Sequence, residues 1–256
     1  MNCCNSPFSN KPFGGINADV LRAIAVVCMV ADHVWACGVP LGNWMNYMGR
    51  VAFPVFAFQL TEGFLHTSNF KKYFFRLLIG AVFSEIPFNY LSIGKFLNPD
   101  YQNVLFTFLF GLLAMFFLEK IKKDPTPLKV SGFSLLVIGC VVAAELLKTD
   151  YGYAGVLTVL LFYILRDFPF AWLAQAAAMV IINVFAFPGR PVAFRIFGEF
   201  VILHVQFFAL LSLIPIWLYN GRKSRFGKKV QYAFYGFYPV HLAVLDVVRY
   251  FMTTSV

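Results

Sequence analysis

The chain is built from long apolar runs, about 15–22 residues each, and runs of that length decide the solvent before they decide the fold. Nine candidate spans follow one another at 17–37, 47–66, 72–93, 103–119, 131–148, 151–166, 168–187, 198–219 and 232–252. Hydrophobic residues make up 60% of the sequence and charged ones only 13%. A water-soluble domain needs more polar surface than that to cover its core. A bilayer removes the requirement, but it obliges the backbone to satisfy its own hydrogen bonds, which leaves helices or a closed barrel. Barrel strands alternate with period two, and that pattern is absent from the sequence reading. The expectation is an all-α polytopic membrane bundle of about nine helices, one domain over 1–256, with an irregular cytoplasmic tail at 1–15.

The net charge of +9 has a nucleic-acid reading and a membrane reading. The second is preferred, and no nucleic-acid partner is expected, because the basic residues lie between the apolar runs. Thirteen Lys and Arg fall in one alternate set of loops and five in the other. The positive-inside rule places the richer set, and the N-terminus with it, in the cytoplasm. An odd number of spans then puts the C-terminus outside. The first span lacks a basic flank followed by a small-residue cleavage site, so it is expected to remain as a helix. Five cysteines, at 3, 4, 28, 37 and 140, have neither metal-ligand nor disulfide-framework spacing.

Ionisable groups inside such spans are costly and need reasons. The first span carries Asp19, Arg22, Asp32 and His33. Eleven helical steps separate Arg22 from His33, which returns them to within roughly 20° of one face, about 16 Å apart along the axis. A guanidinium near the cytosol suits phosphate, and an imidazole deeper in suits general-base work. Acyl-coenzyme A has the matching form, with phosphates at one end and a thioester at the other. A snorkelling arginine and a structural histidine are the alternative. Asp32 points about 100° away from His33, so it needs a partner elsewhere, and Arg50 is the first choice. Glu62 and His66 lie one turn apart in the second span and suggest contact with a cofactor head. Lys71, Lys72 and Arg76 open the third span as a clamp for anionic phosphate or a topology signal. Glu85 and Asn89 follow around Pro87. Asn103, Thr107 and Gly111 form a small polar stripe of the kind that packs helices. In the last span Tyr235, Tyr238 and His241 recur at intervals of three.

The sequence resembles the TraX family, whose named member is the F-pilin acetylase of conjugative plasmids. The resemblance covers most of the chain. It rests on Asn17-Ala18-Asp19-Val20-Leu21-Arg22 with Asp32-His33, on the stretch from Gly49 to Phe58, and on Thr61-Glu62-Gly63-Phe64. It continues through Lys72 to Arg76, Ser84 to Asn89, Asn103 to Thr107, Asp150-Tyr151-Gly152 and Tyr219-Asn220-Gly221, and ends in the block from Tyr235 to His241. That family in turn resembles the acyltransferase-3 group of membrane acyltransferases, though this chain is shorter and has fewer spans.

The resemblance implies a bacterial inner-membrane enzyme. It would move an acetyl group from cytoplasmic acetyl-CoA to an acceptor outside, such as the N-terminus of pilin or another amine or hydroxyl, on a protein or a glycan. His33 would be catalytic, with Asp32, Glu85 and His241 as further candidates. Arg22, Lys71, Lys72, Arg76, Glu62 and His66 would contact the coenzyme, and no metal is expected. The rival readings are a proton-coupled transporter using the buried ionisable groups and a metalloenzyme using Glu62 and His66 with a third ligand.

Overall fold

In the computed structural model, residues 15–222 and 228–254 are described. The irregular tail, Lys11, Cys3 and Cys4 lie outside them, as does most of the basic loop after Arg222. The helices are α1 (Ala18–Ala36), α2 (Trp44–Gly49), α3 (Ala52–His66), α4 (Phe70–Ile93), α5 (Val104–Lys123), α6 (Pro127–Leu146), α7 (Gly152–Ile164), α8 (Ala171–Val180), α9 (Leu213–Leu218) and α10 (Lys228–Thr254). Three of them, α4, α5 and α6, are long and apolar enough to cross a membrane.

Local signals explain most of the ends. Asn17 caps α1 by accepting from the Asp19 and Val20 amides at 3.0 Å, and Asp19 adds negative charge at the positive end of the helix dipole. Asn69 caps α4, and Gly94 ends it in the left-handed conformation that favours glycine. Asn103 caps α5, whose last turn carries Lys120, Lys122 and Lys123 at the negative end of the dipole. Pro127 opens α6, where its missing N–H costs nothing.

Two expected spans are corrected. The run 47–66 is divided between α2 and α3, with the break at Arg50–Val51. Pro54 has no N–H to offer the Arg50 carbonyl, so the ladder cannot run through. The run 198–219 is not one helix, and the expected absence of strands fails with it. Strands β1 (Pro191–Ile196) and β2 (Glu199–His204) form an antiparallel hairpin, followed by a 3₁₀ segment, Val205–Ser212, and then α9. The turn residues Phe197 and Gly198 have φ of 51° and 92°, the twist that a two-residue hairpin loop requires. Phe194 and Val201 pair across the ladder, and Phe194 packs on Tyr47 and Phe208. Phe200, Ile202 and the turn residue Phe197 are exposed. Among the described residues the sheet has two strands, so each is an edge.

The chain divides into two compact units. The first comprises 1–59 and 164–231, the second 60–163 and 232–256. In the first, α1 buries Leu21, Ala25, Cys28 and Ala31, a stripe at helical spacing. Ile16 bridges to Tyr219, and Gln59 donates to the Ala18 carbonyl at 3.2 Å, so the start of α1 is held on two sides. In the second, Leu112, Met115, Val156 and Val159 are fully buried. Gln102 bridges to Thr149, tying the loop before α5 to the turn after α6. Only 11% of the apolar window of α6 is buried, which leaves that helix an apolar outer surface suited to lipid.

One backbone approach in the first unit is especially close. A Cβ added at Gly49 would come within 2.3 Å of the Asp32 Cβ. Gly49→Ala is expected to lower the thermal midpoint of the detergent-solubilised protein, at a cost of about 1–3 kcal/mol. Gly139→Ala on α6, where an added Cβ meets open space, is expected to raise it by about 0.5–1 kcal/mol. Thermal scans of the two variants side by side check both signs.

Candidate functional site

Arg22 and His33 lie on one uninterrupted helix, α1, in the first unit. Arg22 approaches Asp19 at 3.7 Å, and both side chains are largely shielded from solvent. His33 is half-buried. Its neighbour Asp32 is ion-paired with Arg50, the partner expected from the cost of a shielded carboxylate. The geometry around that pair is denser than the sequence suggested. Asn46 donates Nδ2 to Asp32 Oδ1 at 2.7 Å, and its backbone carbonyl accepts from Arg50 Nε at 3.3 Å. Arg190, next to the first residue of β1, donates to Asn46 Oδ1 at 3.0 Å and stacks 4.9 Å above the Trp35 ring. Trp35 in turn donates its indole N–H to Asn43 Oδ1 at 3.1 Å. Asn46, Gly49 and Arg190 were not singled out as a group in the sequence. Their separation along the chain hides them, and the asparagine sits in an otherwise unremarkable aromatic stretch.

The remaining candidates lie in the second unit. Lys71, Lys72 and Arg76, with Asn69, Phe75 and Ile79, line one surface hollow at the start of α4. Lys71 and Lys72 occupy the first turn of that helix, where the dipole disfavours cations and the first turn holds no acidic residue to offset them. Arg76 lies over the Tyr73 ring at 5.7 Å. The arrangement suits an oxyanion, which would meet several cations at the positive end of a helix. Glu62 and His66 do not face one another as a carboxylate–imidazole pair. His66 Nδ1 meets the backbone carbonyl of Glu62 at 2.8 Å. Among the described residues no three His, Cys, Asp or Glu side chains converge as a metal-ligand set.

Glu85 sits where α4 meets the beginning of α5. Its Oε2 accepts from the Asn103 side-chain amide and from the Asn103 backbone N–H, so the carboxylate lies at the positive end of α5. Asn103 also donates to the Ala81 carbonyl at 2.9 Å. Thr107 donates to the Asp150 carbonyl, and Gly111 lies against Val159, so the Asn103–Thr107–Gly111 stripe packs helices and also partners an acid. Asn89 is 0% exposed and lies beside Glu85. Glu85 Oε1 and both amide atoms of Asn89 have no hydrogen-bond partner among the described residues. Tyr238 is buried close to Asp150 and Glu85, and the Val104 N–H is directed at its hydroxyl oxygen. His241 is also buried. Its Nδ1 meets the Phe237 carbonyl at 2.9 Å and its ring stacks 5.0 Å from that of Phe237. Tyr101, in the loop before α5, donates to Asp150 Oδ1 at 2.7 Å. That carboxylate, and then burial, hold its phenol well above the ordinary range.

Comparison with known proteins adds to this geometry. No solved structure matches the chain. It is 30% identical over 246 residues to the probable fimbrial assembly protein FimC, serogroup H1, of Dichelobacter nodosus, an alignment that covers 91% of this chain and 95% of that protein. The family model for TraX protein matches residues 17–249, a stretch that takes in α1 through most of α10 and every candidate residue above. The chain belongs to the TraX family.

Proposed function

We propose that this protein is a membrane-embedded acyltransferase of the bacterial inner membrane, multi-pass with its N-terminus in the cytoplasm. It transfers an acetyl group from cytoplasmic acetyl-CoA to an amine or hydroxyl on the outer side. The observation that carries the reading is the pairing of Arg22 and His33 on one unbroken helix, eleven residues apart. The separation of about 16 Å matches a molecule with phosphates at one end and a reactive thioester at the other. His33 accepts the proton of the acceptor N–H or O–H. The freed nitrogen or oxygen attacks the thioester carbonyl, the C–S bond breaks, and the departing thiolate takes the proton back from the imidazole. Arg22 binds coenzyme phosphate as a guanidinium fork. The hollow of Lys71, Lys72 and Arg76 is the second phosphate contact, with Glu62 and His66 as further coenzyme contacts. Glu85, Asp32 and His241 are further polar groups of the catalytic machinery.

Two further points bear on the acceptor and on a rival. The relative from Dichelobacter nodosus carries a name tied to fimbrial assembly. A surface-fibre subunit such as pilin is therefore the acceptor we favour over a glycan. A proton-coupled transporter is the second reading, favoured by Glu85 Oε1 and Asn89, which are buried with hydrogen-bonding capacity to spare among the described residues.

Labelled acetyl-CoA incubated with the purified protein and a pilin-containing membrane extract separates these readings. Label moving to a polypeptide supports acyl transfer, and none moving in the wild type rejects it. His33→Ala is expected to stay in the membrane while transfer falls by about 10²–10⁴-fold, and full activity in that variant would remove His33 from its role. The double variant Lys71→Gln/Lys72→Gln is expected to raise the KM for acetyl-CoA about tenfold at nearly unchanged kcat. The ligand-free protein should at the same time gain about 0.3–1 kcal/mol per charge removed, because two cations leave the positive end of α4. If the pair served only to set topology, membrane insertion would change and KM would not.

A further inference from the structure

We propose that Asn46 is a positioning residue: it fixes the rotation of α1 about its own axis and so aims His33. The inference rests on the acyl-transfer reading for its kinetic consequence but not for its structural one.

The argument starts from helical geometry. Asp32 and Trp35 are three residues apart and share a face of α1, whereas His33 is turned about 100° from Asp32 and about 160° from Trp35. Whatever grips the Asp32–Trp35 face therefore sets where the imidazole points, without touching it. That face is gripped by two arginines. Arg50 pairs with Asp32, and Arg190 stacks on Trp35.

Asn46 is the node that joins the grips. It is 5% exposed, and it makes three contacts with three different charged residues. Its side-chain N–H donates to Asp32, its side-chain oxygen accepts from Arg190, and its backbone oxygen accepts from Arg50. Its side-chain amide offers a donor to the carboxylate and an acceptor to the guanidinium from one place. An aspartate there would set two carboxylates together, and an aliphatic residue would leave buried polar groups of Asp32 unmatched.

Gly49 removes the slack. Its Cα lies so close to Asp32 that no side chain fits between them. The start of α1 is held differently, by the Asn17 cap, the Ile16–Tyr219 bridge and Gln59 on the Ala18 carbonyl. Loss of Asn46 should therefore loosen the half of α1 that bears His33 and spare the half that bears Arg22.

Two readouts test this on the full-length protein in detergent or proteoliposomes. The first needs no substrate. Carbethoxylation of histidines by diethyl pyrocarbonate, followed by peptide mass spectrometry, reports the environment of each imidazole. In Asn46→Ala the rate at His33 should rise about threefold or more, while His66 and His241 keep their wild-type rates, as expected for loss of a local network. The second is kinetic, with labelled acetyl-CoA and membrane extract. Asn46→Ala should lose about 10–100-fold in kcat with KM for acetyl-CoA within about twofold, the signature of misplacement rather than lost binding.

Asn46→Asp alone should behave like Asn46→Ala. The exchange Asp32→Asn/Asn46→Asp keeps the net charge and the donor–acceptor count and should return the His33 modification rate to within a few-fold of wild type. It also carries the test if Asn46→Ala fails to fold. An unchanged His33 rate in Asn46→Ala overturns the proposal. So does a rise at His33, His66 and His241 together, which reports general loosening, and so does an exchange variant whose His33 rate is no closer to wild type than that of Asn46→Asp. If the wild type transfers no acetyl group, the acyl-transfer reading fails, and the modification rates still decide the role of Asn46.

Discussion

Asp32 is the charge around which the first unit has to be arranged. A carboxylate inside an apolar helix is tolerable only when its charge is balanced and its lone pairs are occupied, and stripping one partner from such a pair costs about 3–5 kcal/mol. Arg50 balances the charge and Asn46 occupies the other oxygen. Each solution creates a new demand. Asn46 needs a donor for its own oxygen, which Arg190 supplies from beyond α8, and Arg190 needs a face to lie on, which Trp35 supplies. Starting from one acid, the network thus joins α1, α2 and the base of the hairpin, and it uses residues 144 apart in the chain.

The second unit meets the same demand by other means. Among the described residues no arginine pairs with Glu85. It lies instead at the amino end of α5, where the backbone and side-chain amides of Asn103 donate to one of its oxygens. The other oxygen and the whole amide of Asn89 keep capacity in reserve. A network filled to completion rigidifies, whereas one left partly filled inside a bundle can admit a polar guest. The two acids therefore differ: both oxygens of Asp32 are taken, whereas one oxygen of Glu85 has no hydrogen-bond partner among the described residues.

How much of this was legible beforehand follows from the range of each interaction. The Asp32–Arg50 pair could be read because a buried carboxylate demands a cation and Arg50 was the nearest cation at the right depth. The caps at Asn17 and Asn103 and the ends of α4 and α5 follow from local chemistry. The grouping of Lys71, Lys72 and Arg76 follows from a single turn and a half of helix. Asn46 and Arg190 could not be found this way, because nothing in either neighbourhood points to the other. The stripe at Asn103 was read as packing, and it does pack, but the same asparagine also partners Glu85. The hairpin was lost because a window average over 198–219 sees only apolarity. Phe197–Gly198 after an alternating stretch was the available sign, and Pro188, Gly189 and Pro191 ahead of it were the punctuation.

The hairpin also has a consequence for depth. Each of its strands carries an outer row of amide and carbonyl groups with no third strand among the described residues to receive them. Hydrocarbon cannot solvate such a row. The ribbon must therefore lie where water, headgroups or another polypeptide can reach it, although Phe197 at 104% exposure and Phe200 and Ile202 beside it are apolar enough to favour the boundary over open solution. Because its base holds Arg190, which donates to Asn46, the depth at which the ribbon rests is linked to the carboxylate of Asp32 through that one asparagine.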